Sequence, residues 1–416
     1  MAIVLPFTGV RPPPQLAAQV AAPPYDVISS EEARELARDN PSSFLHISKP
    51  EIDFSADVDP HSDRVYQQGR DNLVRFINEG ILHKDDSASL YIYRQTLKSA
   101  SGQHSQTGIV GLVSVDDYES DVIRKHELTR PEKEDDRARH MQVLAAQTGP
   151  VFLTYEAEES LEALMTQASQ GAPVYDFLSD GVQHQLWTLT DPALIEKIIF
   201  GFKEIDTLYV ADGHHRSAAA ARYRAIRRAD NPYHQGNEGY NYFMGVMFPH
   251  DQLNVLGYHR VVRDLGPYNA GSFLAALESD FTISRSEPRA MPKQAGQFGL
   301  YLAQQWYLLT CTTQQDQSSD PVERLDVSIL QSSVLSPLLG IDDPRKDARI
   351  DFIGGIRGAQ ALEKAVDCGE FSAAFACYPV TVSALMDVAG AGKLMPPKST
   401  WFEPKLKSGL VIHTLD

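Results

Sequence analysis

The chain has 416 residues, 43% of them hydrophobic and 22% charged, with a formal net charge of −17. That length exceeds one ordinary core, which stops growing at roughly 250–300 residues, so two domains are expected. The acidic balance argues against a nucleic-acid partner, the three widely spaced cysteines (Cys311, Cys368, Cys377) against a disulfide framework or zinc knuckle, and the lack of any apolar run near roughly 18–20 residues against a membrane span.

The first residues carry no basic segment ahead of an apolar run, so no secretory leader is expected and the cytoplasm is the expected compartment. Residues 3–7 read as a short apolar strand. Pro12, Pro13, Pro14, Pro23 and Pro24 then impose an extended, ordered loop, because proline fixes φ and removes a donor. Ser29 and Glu32 have capping-box spacing for a helix that runs to about residue 39 and stops at Pro41. Residues 61–80 are expected to be helical, with Val65, Leu73, Phe76 and Ile77 on one side and Gly80 as the C-cap. Strands are expected at 90–93 and 108–115, joined by a polar hairpin loop at 98–106, with a short strand at 121–125. Thr129 and Glu132 predict a second capping box, for a helix at 130–147 with Pro131 in its first turn. A strand at 151–155, a helix, a hairpin around Gly181 and a helix at 192–199 follow. Residues 208–211 read as a buried strand, 217–228 as a helix, and 242–248 and 255–262 as strands. Beyond about residue 265 the chain gains polar loops such as 314–320 and reads as a second α+β unit. The expected division is 1–265 and 266–416. The fold class is α+β, a mixed β-sheet with flanking helices.

Four constellations could carry chemistry. The first is Asp212-Gly213-His214-His215-Arg216, between a predicted strand and a predicted helix. Helix N-termini favour anions, Gly213 allows close backbone approach, and Arg216 offers a fork that matches phosphate oxygens. His214 and His215 add donors or a proton shuttle, and Asp212 could hold a metal ion or orient a histidine. The plainer reading is that Asp212 caps the helix. The second is Lys125-His126-Glu127-Leu128-Thr129, where Glu127 could act as a general base or serve the start of the next helix electrostatically. The third is Asp136, Arg137 and His140 on that helix, with a solvated helix face as the alternative. The fourth is Pro396-Pro397-Lys398-Ser399-Thr400. Its lysine and hydroxyls could meet a phosphate, although it lacks the glycines of a Walker A loop. Tyr25-Asp26 and His259-Arg260 are lesser candidates.

Together the runs Ala22-Pro23-Pro24-Tyr25-Asp26-Val27-Ile28, His126-Glu127-Leu128-Thr129 with Asp136-Arg137, Ala211 to Arg216, and Met395 to Thr400 resemble the bacterial and archaeal domain-of-unknown-function family 1015. The resemblance covers essentially the whole chain. More distantly, Asp212-Gly213-His214-His215-Arg216 resembles the signature of free serine kinases in the ParB/sulfiredoxin superfamily. That resemblance implies a ParB/sulfiredoxin-like nucleotide-binding core and a phosphotransferase acting on a small hydroxylated metabolite, with free L-serine first. It implies Mg2+ as cofactor and ATP, ADP or pyrophosphate as phosphoryl donor. Glu127, His126 and His215 would be the catalytic residues. Asp212, Gly213, His214, His215, Arg216, Arg137, His140, Lys398, Ser399 and Thr400 would bind phosphates or nucleotide, and Asp212 and Asp136 the metal. Its partners would be a small molecule and a nucleotide, without nucleic acid or membrane. Two further readings are a nucleotide-binding regulatory module with slow hydrolysis and a metal-dependent hydrolase built on His126, His140 and His214.

Overall fold

Long apolar runs in the first 250 residues become neighbouring strands, and the computed structural model shows them for residues 1–99, 102–312 and 318–415. The chain divides into two units. The first takes Met1–Lys125, Thr129–Leu253 and Pro404–Asp416, and the second takes His126–Leu128 and Asn254–Glu403. The boundary expected at residue 265 therefore lies inside the second unit. Among the described residues no helix is long and apolar enough to cross a membrane.

The first unit is built on a nine-stranded mixed sheet. Its order is Ile123–Arg124, Leu208–Asp212, Val151–Tyr155, Tyr242–Pro249, Gly102–Ser114, Leu90–Ser99, Val182–Leu189 and Tyr175–Ser179, with Val4–Leu5 also paired to Gly102–Ser114. Two pairings are parallel, Tyr242–Pro249 with Val151–Tyr155 and Leu208–Asp212 with Ile123–Arg124; the rest are antiparallel. All five residues of Val151–Tyr155 are buried. A strand covered on both faces reads as a continuous apolar run rather than an alternation, which is why the sequence shows it so clearly. Its core joins Leu153 and Val210 to Leu161, Ile198 and Phe202 and to Ala219 and Tyr223 of the helix His214–Asp230.

Some local expectations hold and others shift. Ser29 and Glu32 form both bonds of the capping box on the helix Ser30–Ala37. The second box does not form. Arg130 is the N-cap of Pro131–Leu144 without a side-chain bond, and the Thr129 hydroxyl donates to Glu134 instead. The polar stretch expected as a loop at 98–106 continues the two strands to Ser99 and from Gly102, its tip at 100–101 lying outside the described residues. Polar residues suit this ladder because they pair across it. Buried Gln106 donates to Gln95 Oε1 at 2.9 Å, and Gln95 donates to Lys405 O at 2.9 Å.

The second unit carries a six-stranded antiparallel sheet in the order Phe281–Ser286, Gln305–Cys311, Gln297–Leu302, Ala373–Cys377, Tyr258–Val262 and Ile350–Gly354. Phe273, Phe298, Leu330 and Phe375 form one core cluster, and Trp306, Leu362 and Ala374 belong to another. The strand expected at 255–262 breaks into Asn254–Leu256 and Tyr258–Val262 at Gly257. A Cβ there would lie 2.3 Å from the Cys377 carbonyl oxygen, so only glycine fits. Of the polar loop expected at 314–320, residues 314–317 lie outside the described residues.

Candidate functional site

The strand Leu208–Asp212 ends in the sheet, and the helix His214–Asp230 begins two residues later, three residues earlier than the sequence pattern places it. The turn depends on Gly213, whose φ is +95°. A side chain there would be strained, and its Cβ would sit 3.2 Å from Arg216 Cζ. The bare glycine lets the Arg216 guanidinium fold back over the turn. Arg216 donates to the Pro150 carbonyl and lies 3.6 Å from Asp26 Oδ2, while its Nε is buried without a hydrogen-bond partner among the described residues. Its side chain is 11% exposed.

Arg137 approaches the same space from the helix Pro131–Leu144, with its side chain 14% exposed. Its guanidinium stacks 4.0 Å from the centroid of the Tyr25 ring. Asp136 holds it through bonds from Nε at 2.8 Å and NH2 at 2.7 Å to Oδ2. The other oxygen of Asp136 accepts from Tyr66 at 2.8 Å and faces His61 Nδ1 at 3.0 Å. Burial alone would raise the Asp136 carboxyl, but Arg137 and then the Tyr66 bond hold it below the usual range. A carboxylate offers about four lone-pair positions, and all four are used here. Asp136 therefore orients Arg137.

Arg137 and Arg216 line one cavity of about 30 Å³ together with Tyr25, His140, Thr148 and Ser408. A water needs roughly 10–15 Å³ by this measure, so the space suits a few oxygen-sized groups rather than a nucleobase. Burial, then Asp26, pushes the Tyr25 hydroxyl up, so it stays a donor. Burial, then Arg137, pulls His140 down to about 4. His140 is thus neutral near pH 7, and its Nε2 lies 2.9 Å from the Ile47 carbonyl. That nitrogen must carry the proton, which leaves Nδ1 an acceptor rather than a phosphate donor.

Asp212 uses Oδ1 to accept from the Gly213 N–H at 2.8 Å and Oδ2 to accept from Lys405 Nζ at 2.8 Å. Burial would raise its carboxyl, but Lys405, followed by Arg216, holds it far below the usual range. Sequence reasoning missed Lys405. The two lysines near the chain end, Lys405 and Lys407, gave no local sign of which acid each would meet; Lys407 pairs with Asp180 at 2.6 Å. His214 is buried in the first helical turn. His215 Nε2 accepts the Arg130 N–H at 3.1 Å, so neutral His215 carries its proton on Nδ1 and secures the N-cap of the neighbouring helix.

Of the lesser candidates, Tyr25 lines the pocket and Asp26 faces Arg216. His126, Glu127, Lys398, Ser399 and Thr400 belong to the second unit, where the Met395 N–H donates to the His126 carbonyl at 2.8 Å. The buried Ser399 hydroxyl is spent on the Pro396 carbonyl at 2.6 Å. As placed, it has no proton left for a phosphate.

Fold and pocket define an α+β protein with a mixed sheet and a small cationic pocket at a strand-to-helix turn. Residues 4–328 match the family described as Protein of unknown function (DUF1015), and the chain belongs to that family. No curated protein matches the chain. Among solved structures, a conserved hypothetical protein from Pyrococcus furiosus is similar at 13% identity and a TM-score of 0.34, over 72% of this chain and 94% of that one. Free serine kinase in complex with AMP is similar at 12% identity and a TM-score of 0.35, over 70% and 86%. SbnI with a C-terminal truncation, from Staphylococcus aureus, is similar at 11% identity and a TM-score of 0.37, over 71% and 84%.

Proposed function

We propose that the chain is a nucleotide-dependent phosphotransferase acting on a small hydroxylated metabolite, with free L-serine as the first acceptor to try. One observation carries the reading: two nearly buried guanidiniums, Arg137 and Arg216, come from different helices to one small cavity beside the Gly213 turn. Phosphoryl transfer needs mainly positioning and charge neutralisation, and this cavity has the size and charge for a phosphate group. The rest of the donor (ATP, ADP or pyrophosphate) would extend from its mouth. Glu127 is the proposed base. It takes the acceptor hydroxyl proton as the new P–O bond forms and the bond to the leaving group breaks. His126 and His215 are proposed to position that exchange. Mg2+ would accompany the donor phosphates, with Asp212 as the carboxylate able to meet it.

The test is a transfer screen. Protein, Mg2+ and each donor are incubated with amino acids and small polyols, and products are read by mass spectrometry. The expected result is an acceptor-dependent phosphorylated product, lost in Arg216→Ala and reduced at least about 100-fold in Glu127→Gln. No product from any pair overturns the phosphotransferase reading. If nucleotide then still raises the melting temperature, and Arg216→Ala abolishes that rise, the pocket serves a nucleotide-binding regulatory module instead.

A further inference from the structure

Arg260 lies in the strand Tyr258–Val262 of the second unit and is 3% exposed. Its partners are uncharged. It donates to the Tyr258 carbonyl and, at 3.4 Å, to the Pro397 carbonyl, and it lies 4.0 Å from Cys377 Sγ. Among the described residues it makes no ion pair with a carboxylate, the groups that act on it being Cys377 and Tyr258. Burial pulls its guanidinium below the ordinary range, as expected of a buried cation with no carboxylate partner among the described residues. A buried charge without a partner is costly, and proteins ordinarily supply one.

A second cation stands beside it. Lys398 follows Pro397, whose carbonyl Arg260 holds. Lys398 is exposed, makes no ion pair among the described residues, and has a φ of +57°, where glycine would sit without strain. Its Nζ lies 5.7 Å from the Tyr258 ring centroid. Tyr258 packs edge-on against Trp401 at 5.3 Å and Phe352 at 6.2 Å, and Arg260 Cζ lies 5.4 Å from Phe352. Both cations thus border one rigid aromatic group, Arg260 in the interior and Lys398 at the surface.

We propose that Arg260 and Lys398 hold a small oxyanion, a phosphate group, on the second unit. Two positive charges without a carboxylate partner among the described residues match a dianion, with Lys398 on its solvent side. The inference does not rest on the Arg137–Arg216 reading.

The test is calorimetric titration of inorganic phosphate into the full chain carrying Arg216→Ala, at fixed ionic strength, with acetate as a second titrant. One phosphate site should remain in that protein. Lys398→Gln added to it should weaken binding at least tenfold, and acetate should bind more weakly than phosphate. Arg260→Met, which removes an unbalanced charge, should melt no lower than the parent in phosphate-free buffer and should lose the rise in Tm that phosphate gives. Absence of a phosphate site in the Arg216→Ala protein, or equal affinity with and without Lys398→Gln, overturns the proposal. Acetate binding as tightly as phosphate overturns the assignment to a phosphate group. A lower Tm for Arg260→Met, with phosphate response intact, makes Arg260 purely structural and also overturns it. Failure of the Arg137–Arg216 reading looks different: wild type would then bind no more phosphate than Arg216→Ala.

Discussion

In the first unit Arg137 lies against Asp136, and Arg216 faces Asp26. In the second unit Arg260 is at least as buried, yet it meets carbonyls, a thiol and the Phe352 ring. The contrast separates two uses of a buried cation. Where the chain supplies the counter-charge, the guanidinium is held to a fixed shape before any ligand arrives. Where it supplies none, the charge is left for a ligand to balance. The two pairs of the first unit also differ from each other. Asp136 is saturated by four contacts, whereas Asp26 stands 3.6 Å away and is one-third exposed.

The largest expected effect tests that first pairing. Asp136→Ala would strand Arg137 and remove partners of Tyr66 and His61. Urea unfolding should show a loss of about 3–5 kcal/mol. A loss under about 1 kcal/mol would mean that Arg137, like Arg260, stands without its carboxylate.

An intermediate effect concerns charge state beside Arg137. His140 sits at about 4 in the folded chain, from burial first and Arg137 second. An unfolded imidazole titrates near 6.5, so the unfolded chain binds more protons between those values. The stability linked to neutral His140 is therefore complete above about pH 6.5 and is lost as pH falls toward 4. The slope reaches up to about 1.4 kcal/mol per pH unit. Unfolding free energies measured across that window should fall less steeply in His140→Gln. Parallel slopes would show that His140 is not the group responsible.

The smallest effect belongs to the loosest pair. Asp26→Asn should change stability by less than about 1 kcal/mol, because a partly exposed pair at this distance is screened by solvent. A loss comparable with that of Asp136→Ala would put the two pairs in one class and erase the distinction drawn within the first unit.

Much of this architecture is legible in the sequence. Buried strands such as Val151–Tyr155 announce themselves as apolar runs, and the Ser29–Glu32 capping box involves groups three residues apart. Gly213, set between an apolar strand and a helix, marked the turn at the pocket. The same local reasoning erred where two local solutions compete: Thr129 found Glu134 rather than the N-cap bonds, and the polar residues around 98–106 stayed in the ladder.

The sequence alone determined the α+β class, the strand-to-helix turn at Gly213, and Arg137 and Arg216 as candidates. These depend on backbone preferences and periodicities that act over a few residues. Only the tertiary structure decided which charges meet. Lys405 reaches Asp212 across 193 residues. Asp136 fills its lone pairs with Tyr66, His61 and Arg137, and His215 serves the Arg130 N–H. Any lysine can satisfy any carboxylate, so composition leaves these pairings degenerate. Sheet order and register remove the degeneracy by bringing one particular set of side chains within bonding distance.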